Sequence, residues 1–173
     1  MSKIENESES FNIIFKSPLL MGLDSTQIMV QNSNFHNRKS TNNILEATID
    51  SEWKSKIEEN PHLFNGTKFR YAGYTWDNDL KQLHVKLGIT DYASVIGTNM
   101  SACASRLQER GLKEHNDPQI HLGNALGVGS VVETTDQKLV FIERSHHVGE
   151  AQGMIDVPGG HPEPKVTNLY IVL

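Results

Sequence analysis

A chain of 173 residues is long enough for one domain, or for one domain with a short extension. Its hydrophobic fraction of 37% supports only a modest core, and its formal net charge of −5, without a run of lysine or arginine, argues against nucleic acid as a partner. The single cysteine, Cys103, excludes an internal disulfide and a cysteine-based zinc site, and we expect it to pack as a small apolar residue.

The sequence reveals no targeting signal. Its first residues, MSKIENESESFN, are polar and acidic and lack the apolar core of a secretory signal. No segment is apolar enough to span a membrane. We therefore expect a protein of the cytoplasm or the nucleus that has no membrane partner.

The first part of the chain predicts a strand, a long loop and a helix. The apolar run FNIIF, residues 11–15, indicates a strand, and residues 31–43 are rich in asparagine and serine, which favours a loop. A helix is predicted next because apolar residues recur every four positions, at Leu45, Ile49, Trp53 and Ile57. Asn42 or Asn43 is a suitable N-cap, and Pro61 lies just past the expected end.

The middle of the chain predicts a hairpin and a second helix. Residues 69–76 and 80–89 indicate two strands around a polar turn, and apolar and polar residues alternate in the second of them. The helix is predicted from four residues at helical spacing, namely Met100, Cys103, Ala104 and Leu107. Gly111 is expected to end it.

The polar segment 113–124, which Pro118 interrupts, indicates a boundary after residue 117. Residues 1–117 would then form an N-terminal α+β region. Beyond the boundary, two further strands are predicted at 128–133 and 139–143. The order of strand, helix, hairpin, helix, hairpin and glycine turn indicates an α/β or α+β fold.

Reactive side chains are densest in the last third of the chain, at Glu143, Arg144, His146, His147, Glu150, Asp156, His161 and Glu163. Gly159 and Gly160 predict a tight turn that lets the backbone approach a ligand. Arg144 follows an apolar run and can present its guanidinium to a diphosphate, while His161 and Glu163 are suited to a sugar or a base. The alternative is a plain turn flanked by solvated charges.

Common motifs for metal binding, phosphate binding and nucleophilic catalysis are missing. His146 and His147 would point to opposite faces of an extended segment, which argues against a shared zinc ion. Residues 123–129, GNALGVG, suggest a phosphate loop, but they lack a lysine and lead into a strand. The sequence contains no GxxxxGK[ST] loop, no GxGxxG after a strand and no GxSxG elbow.

The segment LVFIERSHHVGEAQGMIDVPGGHPEP, residues 139–164, resembles the start of the Nudix box of Nudix hydrolases, and within that family the animal enzymes that hydrolyse UDP-glucose and UDP-galactose. HLFNGTKFRYA, VKLGITDYASVIGTN and LGNALGVGSVV are similar to the same enzymes, in the same order. The resemblance covers roughly residues 50–164. VPGGHPEP makes it specific, whereas two adjacent glycines alone would be weak.

The resemblance implies a Nudix-like α/β/α sandwich that begins in residues 118–173, with residues 1–117 contributing to the substrate pocket. It implies hydrolysis of a UDP-sugar to UMP and a sugar 1-phosphate. In the family, glutamates on a helix after the glycine turn hold Mg²⁺, which neutralises the diphosphate and activates water.

The substrate-binding residues that carry over by position are Phe64, Tyr92, Arg144, Gly149, Asp156, His161 and Glu163. Phe64 and Tyr92 would stack on uracil or line the pocket, and Gly149 would contribute its backbone. Without the resemblance, Phe64 and Tyr92 read equally well as core aromatics.

The sequence after Glu163 departs from the family pattern. The Nudix signature continues as REUxEExGU, where U is aliphatic, but no residue after Glu163 is acidic, and VTNLYIVL is an apolar, β-prone run. We therefore expect a truncated member of the family that lacks the catalytic glutamates and Mg²⁺ ligands and is inactive alone. The alternatives are a non-catalytic UDP-sugar binding or interaction module, or a chain that open sheet edges keep from folding stably.

Overall fold

The structure, a computed structural model, describes residues 12–148 and 150–165. Its helices are α1 (Asn43–Glu59), α2 (Tyr92–Thr98) and α3 (Ala104–His115). Its strands are β1 (Ile28–Asn32), β2 (Thr67–Asp77), β3 (Gln82–Asp91), β4 (Val128–Gly129), β5 (Ile142–Glu143), β6 (Ile155–Asp156) and β7 (Gly159–Gly160). Short 3₁₀ turns cover Ser25–Gln27 and Asn34–His36. The mixture of helices and sheets agrees with the predicted α/β class.

The largest sheet has three strands in the order β1-β3-β2. β2 and β3 form the predicted antiparallel hairpin, and β1 pairs with β3 in parallel. Two smaller antiparallel sheets pair β4 with β7 and β5 with β6. These two sheets lie in the last third of the chain, where the reactive side chains are densest.

Helix α1 forms as its sequence predicts. The side chain of Asn42 accepts a hydrogen bond from the backbone N–H of Leu45 at 3.0 Å, which satisfies a donor that the helix itself leaves unpaired. Leu45 and Ile49 are buried on the predicted apolar face. The helix ends two residues before Pro61.

The core joins the two predicted regions. Leu45 of α1 and Leu107 of α3 pack against Leu122, and the half-buried Cys103 packs against this cluster, as expected of a small apolar side chain. Leu122 lies beyond the predicted boundary at residue 117, so the segment that follows the boundary belongs to the same packed core. None of the helices in residues 12–148 and 150–165 is long and apolar enough to cross a membrane.

Arg70 of β2 fastens two segments that are distant in sequence. Its side chain is 2% exposed. Nε donates to the carbonyl of Leu122 at 2.9 Å, and the two terminal nitrogens donate to the carbonyls of His36 at 2.8 Å and Gln119 at 2.6 Å. Burial lowers the pKa of Arg70, and the nearby Asp117 carboxylate opposes that shift. The guanidinium therefore holds residues 36 and 119–122 against β2.

Prediction and structure differ at three elements in the first 100 residues. The strand expected at 11–15 is wrong for residues 12–15, which form no strand, and residue 11 lies outside the described part. The real first strand, β1, overlaps the predicted loop by two residues. Helix α2 has no counterpart among the predicted elements, because seven residues are too few to establish a helical period.

Gly111 does not end α3. The helix continues to His115, and Asn116 adopts the left-handed conformation, with φ 54°, that closes it. Gly111 is buried inside the helix, where a Cβ would lie 2.5 Å from the carbonyl oxygen of Asp117. Close packing explains this glycine better than a helix end does.

The predicted strands at 128–133 and 139–143 form a hairpin with little regular strand. Only β4 and β5 are regular, and an isolated bridge joins Glu133 to Leu139. The backbone N–H of Val140 donates to the carbonyl of Val132 at 2.9 Å. The pairing is confirmed, but the strands are much shorter than predicted.

Glu46, in the first turn of α1, has both carboxylate oxygens engaged. Arg38 donates to them from its two terminal nitrogens at 3.1 and 2.5 Å, and Thr41 donates from its backbone N–H at 2.6 Å and its hydroxyl at 2.8 Å. Burial disfavours the charged carboxylate, but the hydrogen bonds from Arg38 and Thr41 outweigh burial and lower the pKa of Glu46 to about 2. The charged form of Glu46 therefore stabilises the fold.

We expect Glu46→Gln to lower the free energy of unfolding at pH 7 by on the order of 2 to 3 kcal/mol. Because the pKa is lower in the folded chain than the ordinary value of 4.5, this stabilisation is complete above that value and is lost as the pH falls to about 2. Urea denaturation of the original and Glu46→Gln chains between pH 7 and pH 3 should therefore show a difference that narrows with acidification.

Glu52→Gln is the matched control, since Glu52 is an exposed residue of the same helix. It should change the free energy of unfolding by less than about 0.5 kcal/mol. A difference for Glu46→Gln that is the same at pH 7 and pH 3 would contradict the role given to the Glu46 carboxylate.

Candidate functional site

A cavity of about 270 Å³ lies between the loop before β2, the start of α2 and the segments that follow β5 and β7. It is lined by His62, Leu63, Phe64, Lys68, Tyr92, Arg144, His147, Val148, Glu150 and His161. Four of the predicted substrate-binding residues are in this set: Phe64, Tyr92, Arg144 and His161. Side chains from distant parts of the sequence thus meet at one place, although their role in binding stays a prediction.

The two aromatic residues occupy different environments. Tyr92 is the first residue of α2, which Asp91 caps by accepting the N–H of Ser94 at 2.7 Å. Its ring packs edge-on against Trp53 of α1, with 5.9 Å between ring centroids, and burial, helped by the Glu150 carboxylate, raises the pKa of Tyr92. The side chain of Phe64 is 71% exposed, so Phe64 is not a core residue.

Arg144 follows β5, and its guanidinium is held by hydrogen bonds to Asp156 and Glu150. One terminal nitrogen donates to Asp156 Oδ2 at 3.1 Å, and the other donates to the carbonyl of Glu150 at 3.3 Å. The Nε atom of Arg144 is buried and has no hydrogen-bond partner among the described residues. Asp156, a predicted substrate-binding residue, pairs with Arg144 and is not among the residues that line the cavity.

Lys68 and Glu163 form a second cation–carboxylate pair at the cavity. Lys68 lies buried in β2, and its Nζ is 2.5 Å from Oε1 of Glu163. Lys68 lines the cavity, whereas Glu163, a predicted binding residue, does not. The sequence does not single out Lys68, because charged residues that alternate with Phe69 in a strand are expected to face solvent, whereas Lys68, Phe69 and Arg70 are all buried.

The glycine pair before His161 is not the tight turn that its sequence predicts. Gly159 and Gly160 form β7, which pairs with Val128 and Gly129. A Cβ on Gly159 would lie 2.3 Å from the carbonyl oxygen of Val128. The glycine is therefore needed for close contact between strands rather than for a turn, and the extended β7 carries His161 to the cavity.

The remaining predicted and missed residues fall into two groups. Gly149 lies outside the described residues. His62, Leu63, Val148 and Glu150 line the cavity without having been predicted as binding residues. Leu63, Val148 and Glu150 directly flank Phe64 or Gly149 in the sequence, whereas His62 and His147, which also lines the cavity, lie two residues from them. This proximity is the signal that could have found them.

Comparison with known proteins agrees with the resemblance that the sequence motifs suggest. A scan against models of known protein families finds none that matches this chain. Nudix hydrolase 9 of Arabidopsis thaliana is 35% identical to it over 173 residues, which cover 94% of this chain and 54% of that protein. Uridine diphosphate glucose pyrophosphatase NUDT22 of Homo sapiens is 40% identical over 147 residues, covering 83% and 48%, and that of Mus musculus is 39% identical over 148 residues, covering 84% and 48%.

The chain is thus similar, over most of its own length, to a Nudix hydrolase and to NUDT22 proteins. It spans about half the length of the curated relatives it matches.

The resemblance implies a bound Mg²⁺, which needs several carboxylate ligands close together. Of the carboxylates near this cavity, Asp156 and Glu163 pair with Arg144 and Lys68, and Glu150 lines the cavity itself. Within residues 12–148 and 150–165, no three histidine, cysteine, aspartate or glutamate side chains at this cavity lie close enough to share an ion.

A larger cavity of about 810 Å³ adjoins the first. The two cavities share Glu150 and His161 in their walls. Tyr71 and Asn124 are among the other residues that line the larger one, as is Arg70, whose donors are already used by backbone carbonyls. The smaller cavity has Lys68 and Arg144 in its wall together with three other predicted substrate-binding residues, and it is therefore the candidate site.

Proposed function

We propose that this chain carries the UDP-sugar-binding part of a Nudix hydrolase that cleaves UDP-glucose or UDP-galactose to UMP and a sugar 1-phosphate. The observation that carries the proposal is the meeting of Phe64, Tyr92, Arg144 and His161 around one cavity. The relative from Homo sapiens, 40% identical to this chain, is named as a uridine diphosphate glucose pyrophosphatase, which supports this choice of substrate.

The cavity offers suitable chemistry for each part of such a ligand. Phe64 and Tyr92 provide flat apolar surface for a uracil ring. The Arg144 side chain is 25% exposed, and Asp156 and Glu150 keep its guanidinium, which would donate to a ligand oxygen, in place. His161 would contact the diphosphate or the sugar at the border between the two cavities.

The size of the cavity agrees with partial enclosure of the ligand. Ligand cavities commonly measure roughly 300 to 1,000 Å³, and the smaller cavity has about 270 Å³. We propose that uracil and the diphosphate occupy it and that the sugar extends past Glu150 and His161 into the larger cavity. In this arrangement Asp156 and Glu163 position cations instead of touching the ligand themselves.

The reaction needs a divalent metal, which in this family is expected to be Mg²⁺, to neutralise the diphosphate and activate water. The described residues at the cavity do not supply its ligands, and the sequence printed after Glu163 contains no carboxylate. We therefore propose that this chain, as given, binds UDP-sugars without hydrolysing them. The same observation favours the alternative of a non-catalytic UDP-sugar binding module.

We further infer that residues 118–173 form the first part of a Nudix-like α/β/α sandwich, and that residues 1–117 form the N-terminal region that completes the pocket. Phe64, Lys68 and Tyr92 come from the first region, and Arg144 and His161 come from the second. Binding would then require both regions.

Isothermal titration calorimetry with UDP-glucose and UDP-galactose tests the binding. We expect saturable heat in the micromolar to millimolar range, and weaker heat with ADP-glucose, whose larger base does not match the pocket proposed for uracil. Absence of heat up to millimolar UDP-sugar would refute the proposed binding.

Chromatographic detection of UMP after incubation with UDP-glucose and Mg²⁺ tests the proposed lack of turnover. We expect UMP at the level of a control without protein. Sustained UMP release by the 173-residue chain would refute the inference that its residues cannot complete the reaction.

A further inference from the structure

Side chains of the types that bind metals meet at the end of α3, and none of them lines the smaller cavity. Glu114 and His115 are the last two residues of that helix. Asn116, with φ 54°, then turns the chain, and the following loop brings His121 back to the helix end. The rings of His115 and His121 lie 5.4 Å apart between centroids, at an angle of 70°.

His121 is fixed in one orientation by the backbone. Its side chain is 1% exposed, and its Nδ1 is 2.8 Å from the carbonyl oxygen of Lys39. A carbonyl oxygen only accepts hydrogen bonds, so Nδ1 carries the proton and donates it. In the neutral ring, Nε2 then presents its lone pair.

The lone pair of His121 Nε2 has no partner. Nε2 is buried and makes no hydrogen bond to any residue in the described part of the chain. A buried polar atom without a partner is costly and calls for an explanation. Histidines that bind metals typically have this arrangement, with one ring nitrogen donating to a carbonyl and the other facing the ion.

The three side chains are close enough to share an ion. One potential ligand atom from each of Glu114, His115 and His121 lies within 4.8 Å of the others. Zinc bonds of about 2.0 to 2.2 Å in tetrahedral geometry place ligand atoms roughly 3.4 Å apart. Glu114 and His115 are exposed and can close this difference by rotation of their side chains.

The surroundings of the group are compatible with a bound cation. It lies at the C-terminal end of α3, where the helix dipole favours positive charge. Arg110 Nε lies 2.9 Å from Oε1 of Glu114, which leaves the second carboxylate oxygen as a potential ligand.

We propose that Glu114, His115 and His121 form a binding site for a transition-metal dication, for which Zn²⁺ is the best match. Two imidazoles and one carboxylate are a ligand set that zinc accepts, with water as the fourth ligand, whereas Mg²⁺ prefers a shell of oxygen atoms. A bound ion would tie the end of α3 to the loop that Arg70 holds through Gln119 and Leu122.

Titration of the whole chain with zinc chloride, followed by calorimetry and thermal unfolding, tests the site. We expect one Zn²⁺ per chain and a higher Tm with zinc, and neither effect with magnesium chloride at the same concentrations. His115→Ala and Glu114→Gln change exposed residues, so both variants should fold, and each should weaken Zn²⁺ binding by at least roughly tenfold.

His147→Ala is the matched control. His147 and His62 form the other pair of imidazoles with a ring separation of 5.4 Å, but they do not belong to a three-residue ligand group in the described part of the chain. The control should bind Zn²⁺ like the original chain. The proposal is overturned if the original chain does not bind Zn²⁺, if His115→Ala and Glu114→Gln bind it with unchanged affinity, or if His147→Ala is the variant that loses it.

Discussion

Replacing Arg70 by methionine is expected to lower the free energy of unfolding by about 3 to 5 kcal/mol. Methionine matches much of the apolar length of arginine but offers no donor. The carbonyls of His36, Gln119 and Leu122 would each lose a charge-assisted hydrogen bond of 2.6 to 2.9 Å. Equilibrium denaturation in urea, followed by circular dichroism, measures the change.

Two further variants separate the hydrogen bonds from the charge. Arg70→Lys keeps the charge but cannot reach three separate carbonyls with the geometry of the guanidinium, so it should recover only part of the lost stability. Arg106→Met makes the same chemical change at an exposed position of α3 and should alter the free energy of unfolding by less than about 0.5 kcal/mol. Equal losses for Arg70→Met and Arg106→Met would show that the buried hydrogen bonds of Arg70 contribute nothing specific.

Replacing Arg144 by alanine is expected to weaken UDP-glucose binding by roughly 30- to 1,000-fold, or about 2 to 4 kcal/mol. The change removes the guanidinium proposed to contact the diphosphate. It also leaves the Asp156 carboxylate, now held by Arg144 at 3.1 Å, as an uncompensated negative charge near an anionic ligand. Calorimetric titration with UDP-glucose at constant ionic strength measures the loss.

The controls for Arg144 test position as well as charge. Arg106→Ala removes the same charge from α3, outside the residues that line the cavity, and should bind UDP-glucose with nearly unchanged affinity. Arg144→Lys should be intermediate, because lysine keeps the charge but not the planar fork. Asp156→Asn should have a smaller effect than Arg144→Ala, since Asp156 orients the arginine from outside the cavity. If Arg144→Ala folds and binds UDP-glucose as tightly as the original chain, Arg144 has no part in the site.

Periodic apolar patterns predict those elements that bury one continuous face. Helix α1 and the hairpin of β2 and β3 are predicted from sequence because their apolar residues repeat at helical or strand spacing. β1 is not predicted from the sequence, because it is an edge strand whose last two residues, Gln31 and Asn32, are polar and exposed. Its pairing with β3 depends on backbone hydrogen bonds, which a residue pattern does not record.

The candidate site could be predicted in part because its motif lies close together in the sequence. Resemblance to a known family points to Arg144 and His161 near the glycine pair, and to Phe64 and Tyr92 earlier in the chain. No local pattern indicates that Asp156 and Glu163 would hold Arg144 and Lys68 instead of lining the cavity. Such ion pairs depend on which segments lie next to each other in the fold, and the residues around each charge do not predict this.

The group at the end of α3 shows a second limit of prediction from sequence. His115 and His121 lie six positions apart in sequence, a spacing that does not bring two side chains into contact in a helix or a strand. They meet because Asn116 adopts a left-handed conformation. Asparagine tolerates this conformation, but its presence in a sequence does not predict it. Because glycine is typical of helix ends, the helix is predicted to end at Gly111 and not at His115. The approach of the two histidines is missed as a result.

The contacts of Arg70 have a consequence for how related sequences can vary. All three acceptors are main-chain carbonyls, which every amino acid possesses. Residues 36, 119 and 122 are therefore free to change identity without breaking these hydrogen bonds, so long as the backbone keeps its path. Position 70 has no such freedom, because no other side chain donates in three directions from one planar group. Substitutions should thus be far more restricted at position 70 than at positions 36 and 119, while position 122 is restricted separately by its packing in the core.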